Sequence, residues 1–323
     1  MNTRTSRDHS TWAERQERGN FAVLRIMTWL SLHFGRPLTR LIVHGITLYF
    51  LLTAPLARGA SRAYLARVLG RPARWREVYR HLLSFATTIH DRIYLLNGRF
   101  DLFDIRVEGG SLVDEALATG RGAFLVGAHF GSFEALRAIG RTRPNLRVAI
   151  MMYEENARNI NAALATVNPA VKQDVISLGR PEAMLEAVEY LDSGSMIGML
   201  ADRTLRQEDA SALLQCEFLG GRVGFPLSPL RMAAMLKRPV IFMAGVYRGG
   251  NRYDIHFEPL VDFSDAAPGN RAASVQAAVE RYVALLEKHC RRAPENWFNF
   301  FDFWQDDEAA SHCASEAASE VDA

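Results

Sequence analysis

The sequence is poor in cysteine and has no motif that is typical of a bound metal. Cys216, Cys290 and Cys313 are the three cysteines among 323 residues. Their spacing matches no zinc-binding pattern, and an odd number in a chain of this length argues against a disulfide framework. We therefore expect a reducing compartment, no metal and no other cofactor. The net charge of +2 predicts no binding to nucleic acid.

The chain also lacks a convincing membrane-spanning segment. The best candidate is the uncharged stretch 41–57 between Arg40 and Arg58. It is shorter than the roughly 20 apolar residues that cross a bilayer, and it contains His44, Gly45 and Pro55. The first 20 residues are polar, so we expect no signal peptide.

What the N-terminal part does contain is an apolar stripe within a basic region. Apolar residues recur at helical spacing just before residue 41, at Val23, Ile26, Met27, Leu30 and Phe34. Residues 1–80 hold fourteen arginines, no lysine and four acidic residues. A basic amphipathic helix of this kind is typical of a membrane surface, so we predict monotopic association through residues 20–60. The alternatives are a pair of helices packed on the core and a solvated basic face.

Composition and hydrophobic periodicity divide the chain into four regions. We predict a polar N-terminal segment over 1–19, a helical membrane-associating region over 20–98, an α/β domain over 99–304 and a disordered acidic tail over 305–323. In the third region, short apolar strands alternate with helices; the predicted strands are 103–109, 122–128, 147–153, 174–179, 195–201, 239–248 and 252–260. This alternation predicts an α/β fold with a central sheet covered by helices on both faces.

The segment that most strongly suggests chemistry is GAFLVGAHFGSFEALRAIG (122–140). Its buried strand ends at His129, Ser132 is a good helix N-cap, and Glu134 falls in the first turn of the next helix. Sites in open α/β sheets lie at the carboxyl ends of strands. An imidazole that titrates near neutral pH can remove a proton from a hydroxyl, and a carboxylate on its other ring nitrogen would orient it.

We therefore predict that His129 is a general base oriented by Glu134. The acceptor hydroxyl would then attack a thioester directly, so no serine or cysteine nucleophile is needed, and the sequence has no G-x-S-x-G motif. The spacing alone is weak, because His9 and Glu14 share it in a stretch that no strand precedes. The alternative for His129 is a structural histidine.

Five further residues are candidates for substrate binding. Asp202 ends the apolar strand 195–201 and precedes Arg203. Arg158, Arg203 and Arg231 are candidates to stabilise the thioester oxyanion or to bind a phosphate group of a substrate. Each could instead be a structural or surface residue. We also include Ser132 among the candidates, although capping is its primary predicted role.

Several motifs in order resemble one known superfamily. HFGSFE (129–134) resembles the H-x4-D/E motif of the lysophospholipid acyltransferases, and the wider layout is similar to their lipid A lauroyl/myristoyl branch. The further matches are a strand ending at Tyr153, an apolar strand ending at Asp202, EFLGGRVGFPLSPLRMAAM (217–235) and PENWFNFF (294–301). The order matches over residues 100–304. One departure is Tyr153-Glu154-Glu155, where the branch usually has Tyr-Arg-Pro.

The resemblance implies a glycerolipid acyltransferase-like fold with a mixed, largely parallel sheet. It also implies an acyl donor carried on acyl carrier protein or coenzyme A, and a lipid or glycolipid hydroxyl as acceptor. The expected location is the cytoplasmic face of the inner membrane. Acceptor and chain length stay open, as do two other functions: a catalytically idle acyl-lipid or carrier-binding partner, and a thioesterase or lipase that uses water.

Overall fold

The computed structural model describes residues 5–136, 146–170, 174–180, 182–203, 210–265 and 268–304. The predicted tail 305–323 lies outside the described residues. The helices are α1 (Thr5–Thr53), α2 (Pro55–Leu69), α3 (Trp75–Leu96), α4 (Gly110–Ala118), α5 (Glu154–Val167), α6 (Ala183–Asp192), α7 (Ser228–Met235) and α8 (Arg271–Arg292). The strands are β1 (Asp104–Glu108), β2 (Ala123–Gly127), β3 (Val148–Tyr153), β4 (Val175–Leu178), β5 (Met196–Leu200), β6 (Leu213–Phe218), β7 (Gly221–Pro226), β8 (Pro239–Tyr247) and β9 (Arg252–Asp262).

The core of the fold is a seven-stranded sheet in the order β1-β9-β8-β2-β5-β3-β4. Only the β8–β9 pair in this sheet is antiparallel, and every other neighbouring pair is parallel. All five residues of β2 are buried, because helices cover both faces of a sheet whose strands are mostly parallel. The predicted fold class, a mixed and largely parallel sheet wrapped by helices with an N-terminal helical extension, is confirmed.

A buried ion pair attaches the N-terminal helices to the sheet. Arg36 donates two hydrogen bonds to Asp91 of α3, at 2.7 and 2.8 Å. Tyr253 of β9 donates a third to the same carboxylate, at 2.8 Å. A fully buried carboxylate is stable only with such partners. The position of α1 is therefore specified by a contact that joins three elements.

The two faces of α1 have the reverse of the usual polarity for a surface helix. Small hydroxyl residues, including Ser31, Thr39 and Thr47, are buried against the protein. Large apolar side chains are exposed: Val23, Ile26, Trp29, Leu32, Phe34, Leu38, Leu41, Ile42, Leu48, Tyr49, Phe50 and Leu52. We call this set the apolar face of α1. Contiguous apolar exposure of this kind marks an interaction surface.

Within the described part of the chain, no single helix meets the length and hydropathy expected of a membrane span. One bent pair, Ala22–Thr53 with Pro55–Leu69, meets them jointly, and its two arms lie at 94° to each other.

Candidate active site

Backbone pairing holds the loop that follows β2 in one conformation. The N–H of Phe298 donates to the His129 carbonyl at 2.7 Å, and the N–H of Gly131 donates to the Asn296 carbonyl at 2.8 Å. Gly131 has φ 64°, and a Cβ atom there would lie 1.9 Å from the carbonyl oxygen of Gly245. Only glycine fits this position. The loop therefore presents His129 at the carboxyl end of β2, as the sequence predicted.

The imidazole of His129 is hydrogen-bonded to Asp202. Nδ1 lies 2.9 Å from Oδ1 of the carboxylate, whose Oδ2 accepts the backbone N–H of His129 at 3.0 Å. The indole N–H of Trp297 donates to the same Oδ2, also at 3.0 Å. Asp202 reaches this position because β5 is the parallel neighbour of β2, with Gly127 opposite Leu200.

The charge on Asp202 is well compensated although the side chain is buried. Burial alone would raise the pKa of its carboxyl group. The neighbouring His129 ring and Arg203, with the hydrogen bonds from His129, outweigh burial and lower the pKa from its ordinary value. Asp202 is therefore an ionised hydrogen-bond acceptor at neutral pH.

This arrangement corrects the predicted pairing of His129 with Glu134. Glu134 lies in the helical turn after Ser132, and its Oε1 is 2.7 Å from Nε of Arg92 on α3. The contact is an ion pair without the alignment of a hydrogen bond. The physical reason is that the order of strands in the sheet determines which carboxylate lies beside Nδ1. Asp202 follows β5, the strand that pairs with β2. Glu134 and His129 still line one pocket.

That pocket is largely apolar and has a volume of about 450 Å³. Its walls come from α3, from the loop after β2, from the ends of β5 and β8, and from the C-terminal aromatic segment; they include Phe85, Ile89, Leu200, Met243, Phe298 and Phe300. The His129 side chain is 33% exposed, so its ring is accessible from the pocket. The imidazole of His129, the carboxylate of Glu134 and the guanidinium groups of Arg92 and Arg203 thus line an apolar cavity, and Asp202 is buried behind the imidazole.

The family follows from a comparison with known protein families. A family model described as bacterial lipid A biosynthesis acyltransferase matches residues 15–306. The chain belongs to this family of acyltransferases. A search of curated protein sequences found no significant match.

Of the three arginines that the sequence suggests for substrate binding by the acyltransferase, one lines the pocket and two lie outside it. Arg203 lines the pocket and donates to Asn299 Oδ1 and to the Phe298 carbonyl, each at 3.0 Å. Burial lowers the pKa of Arg203, and Asp202 opposes that shift only in part. Arg158 on α5 and Arg231 on α7 are exposed and do not line this pocket.

Ser132 is the N-cap that the sequence predicted. Its Oγ accepts the N–H of Ala135 at 3.3 Å, and the side chain is buried. The residue also lines the pocket. No cluster of three or more histidine, cysteine or acidic side chains suited to a metal occurs in the described ranges.

Sequence reasoning missed two residues that support the site. Arg92 pairs with Glu134, and Trp297 of the PENWFNFF motif (294–301) donates a hydrogen bond to Asp202. A signal for Arg92 was available, because it follows Phe85 and Ile89 on the apolar face of its helix at helical spacing. A charge on such a stripe indicates a partner in the interior.

A buried histidine supports Trp297 from behind. His81 Nε2 bonds the Trp297 carbonyl at 2.8 Å, and Nδ1 lies 2.8 Å from Ser61 Oγ. Burial lowers the pKa of His81 to about 4, and the bond to the carbonyl opposes this only in part. The imidazole of His81 is therefore neutral in the folded protein at neutral pH.

Acidification should therefore destabilise the protein through His81. In the unfolded chain, His81 binds a proton as the pH falls below about 6.5, whereas in the folded protein it stays neutral until about pH 4. The free energy of unfolding therefore decreases as the pH falls across that interval. Between about pH 7.5 and about pH 5, we expect the loss of unfolding free energy to be roughly 2 kcal/mol smaller in His81→Gln than in the parent protein. Urea titrations of the variant and the parent protein at the two pH values measure the free energy of unfolding. The exposed His33 gives the control, His33→Gln, and equal losses in both variants would contradict the prediction.

Proposed function

We propose that this acyltransferase moves a fatty acyl group from a thioester to a hydroxyl of a lipid or glycolipid, with His129 as the general base. The donor would be an acyl group on acyl carrier protein or coenzyme A. The observation that carries the proposal is the bond between His129 Nδ1 and the buried Asp202, with the ring exposed in an apolar pocket.

The hydrogen-bond donors around Asp202 indicate which ring nitrogen is basic. An ionised carboxylate can only accept, so Nδ1 of His129 carries the proton and Nε2 carries the lone pair. Nε2 takes the proton of the acceptor hydroxyl while its oxygen attacks the thioester carbonyl. The new C–O bond forms, the C–S bond breaks, and the leaving thiolate takes the proton from the imidazolium. Asp202 stabilises that cation during the step.

Two arginines at the pocket complement the charges of this reaction. Arg203 has five N–H donors and uses some of them on Asn299 and Phe298, which fixes its guanidinium group at the wall. We assign it to the negative charge that develops on the thioester oxygen. Glu134 stays a catalytic candidate in a different role: held by Arg92, it would position the acceptor hydroxyl near His129.

The direct test uses purified protein, an acyl thioester and a hydroxylated lipid extract. Mass spectrometry should find acylated lipid that increases as thioester is consumed. Free fatty acid in its place would indicate a hydrolase, and no thioester consumption would support an idle binding partner. Lipids from a deletion strain would then name the acceptor and the chain length.

We place the protein at the cytoplasmic face of the inner membrane, attached without crossing it. The support is the apolar face of α1 with cations beside it: the guanidinium groups of Arg58 and Arg62 lie 5.5 and 5.3 Å from the centre of the Trp75 ring. Aromatic and cationic side chains together are typical of a helix in the headgroup region.

Two substitutions on this face should release the protein from vesicles. Leu41 and Leu52 are 67% and 66% exposed, so glutamates there should be tolerated by the fold. Each change removes apolar burial in lipid, and we expect the double variant Leu41→Glu/Leu52→Glu to bind anionic vesicles at least about 100-fold more weakly. Leu185→Glu on α6 is the control, because Leu185 is 68% exposed on another element. Unchanged flotation of the double variant would rule out this surface.

A further inference from the structure

A second pocket, adjacent to the first, carries a concentration of positive charge. It has a volume of about 500 Å³ and lies between α1, α3, the β8–β9 turn and the segment after α8. Five arginines line it: Arg40, Arg80, Arg248, Arg252 and Arg292. We call it the arginine pocket.

The positive charge of the arginine pocket is only partly neutralised. Asp254 lies 3.2 Å from Arg248, and Glu295 lies 3.9 Å from Arg80. Within the described part of the chain, the other three arginines have no carboxylate at ion-pair distance. Like charges that line one cavity repel one another, and a bound anion relieves this repulsion, so the cavity favours a ligand with more than one negative charge.

Two features indicate a formed site. Arg40 donates to the Gly250 carbonyl at 2.7 Å and to Tyr247 Oη at 2.9 Å, so its guanidinium group is held in place. Ser84 lines the cavity, is almost completely buried, and has an Oγ without a hydrogen-bond partner in the structure. A buried hydroxyl of this kind normally has a partner, and a phosphate oxygen would supply one.

The arginine pocket adjoins the catalytic pocket through consecutive residues. Ser84 lines the arginine pocket and Phe85 lines the catalytic pocket, and both belong to α3. Asn296 lines the arginine pocket and accepts through its carbonyl the N–H of Gly131, which lines the catalytic pocket. The two pockets are therefore separated by a shared wall that α3 and the Gly131–Asn296 backbone bond form.

We propose that the arginine pocket binds a phosphate group of one of the two substrates. Guanidinium groups bind phosphate through paired charge-assisted hydrogen bonds, which suits this lining. The phosphate would come either from the pantetheine arm of the donor or from a phosphorylated lipid acceptor. The identity of the source rests on the proposed function, whereas the binding itself does not.

The test compares two double variants with the same change in charge. Arg80→Gln/Arg292→Gln alters the pocket, and Arg76→Gln/Arg281→Gln alters exposed arginines on the same two helices outside it. In calorimetric titrations of the full chain with pyrophosphate at constant ionic strength, the pocket variant should bind at least about tenfold more weakly than the parent. The control variant should bind like the parent. Equal binding by both variants, or no binding by the parent, would overturn the proposal.

Two further pairs of probes identify the source. A preference for coenzyme A over pantetheine that the pocket variant abolishes would assign the phosphate to the donor. A preference for phosphatidic acid over diacylglycerol in detergent, abolished in the same way, would assign it to the acceptor. If neither preference depends on the pocket, the proposal fails. His129→Ala should bind the probes like the parent, because His129 does not line the arginine pocket. In the parent protein, intact binding of the probes without any acyl transfer would contradict the proposed function and leave the phosphate site standing.

Discussion

Replacing His129 with alanine is expected to lower kcat/KM for acyl transfer by at least about 100-fold, because removing a general base typically costs that much. The fold should survive, since the backbone N–H of residue 129 and the indole of Trp297 would still donate to Asp202. Initial rates of acylated-lipid formation measure the effect, and circular dichroism checks the fold.

The matched control for this variant is His256→Ala. His256 pairs with Glu108 at 3.0 Å and does not line the catalytic pocket, so its loss should leave the rate within about twofold of the parent. Full activity in His129→Ala would eliminate the general-base mechanism while leaving the family assignment intact.

The second large effect is expected from Asp202→Asn. The two N–H donors that meet Oδ2 would hold the oxygen of the asparagine amide on their side. Its NH₂ group would then face Nδ1 of His129, which must become the acceptor. The proton moves to Nε2, the nitrogen that should receive the hydroxyl proton. We expect kcat to fall by about 10³- to 10⁴-fold, the range for a base held in the wrong tautomer.

Nitrogen NMR of labelled histidine distinguishes this cause from a general loss of structure. In Asp202→Asn, the His129 signals should report the proton on Nε2 in place of Nδ1. Glu134→Gln is the comparison, since Glu134 contacts Arg92 and should leave the tautomer unchanged. A tautomer that changed in Glu134→Gln and stayed in Asp202→Asn would restore the pairing predicted from sequence.

The success and the failure of the sequence prediction at this site have one explanation. The strand over 122–128 and its exit at His129 depend on local apolar pattern and on turn residues, both of which a sequence displays. The partner of Nδ1 depends on β5 lying beside β2, and Asp202 is 73 residues from His129. Strand order results from packing of the whole sheet, so proximity in sequence favoured Glu134 wrongly.

The hairpin of β6 and β7 was missed for a local reason. Its two-residue turn is Leu219-Gly220, and both residues have positive φ. Leucine is uncommon in that conformation, and the usual hairpin signal is Asn-Gly or Asp-Gly. Packing holds Leu219, whose side chain is buried in the core. The residue types in this turn therefore do not predict the hairpin of β6 and β7.

Trp297 has a consequence for when the protein becomes competent during synthesis. The carboxylate that orients the base is held by an indole near the C-terminal end of the described chain, and residue 298 holds the backbone of the base itself. All seven strands of the sheet precede these residues. During synthesis, the sheet can therefore form before the contacts that align His129 and Asp202 are made. Proteolytic cleavage before Pro294 would remove the same contacts from the folded protein and inactivate it.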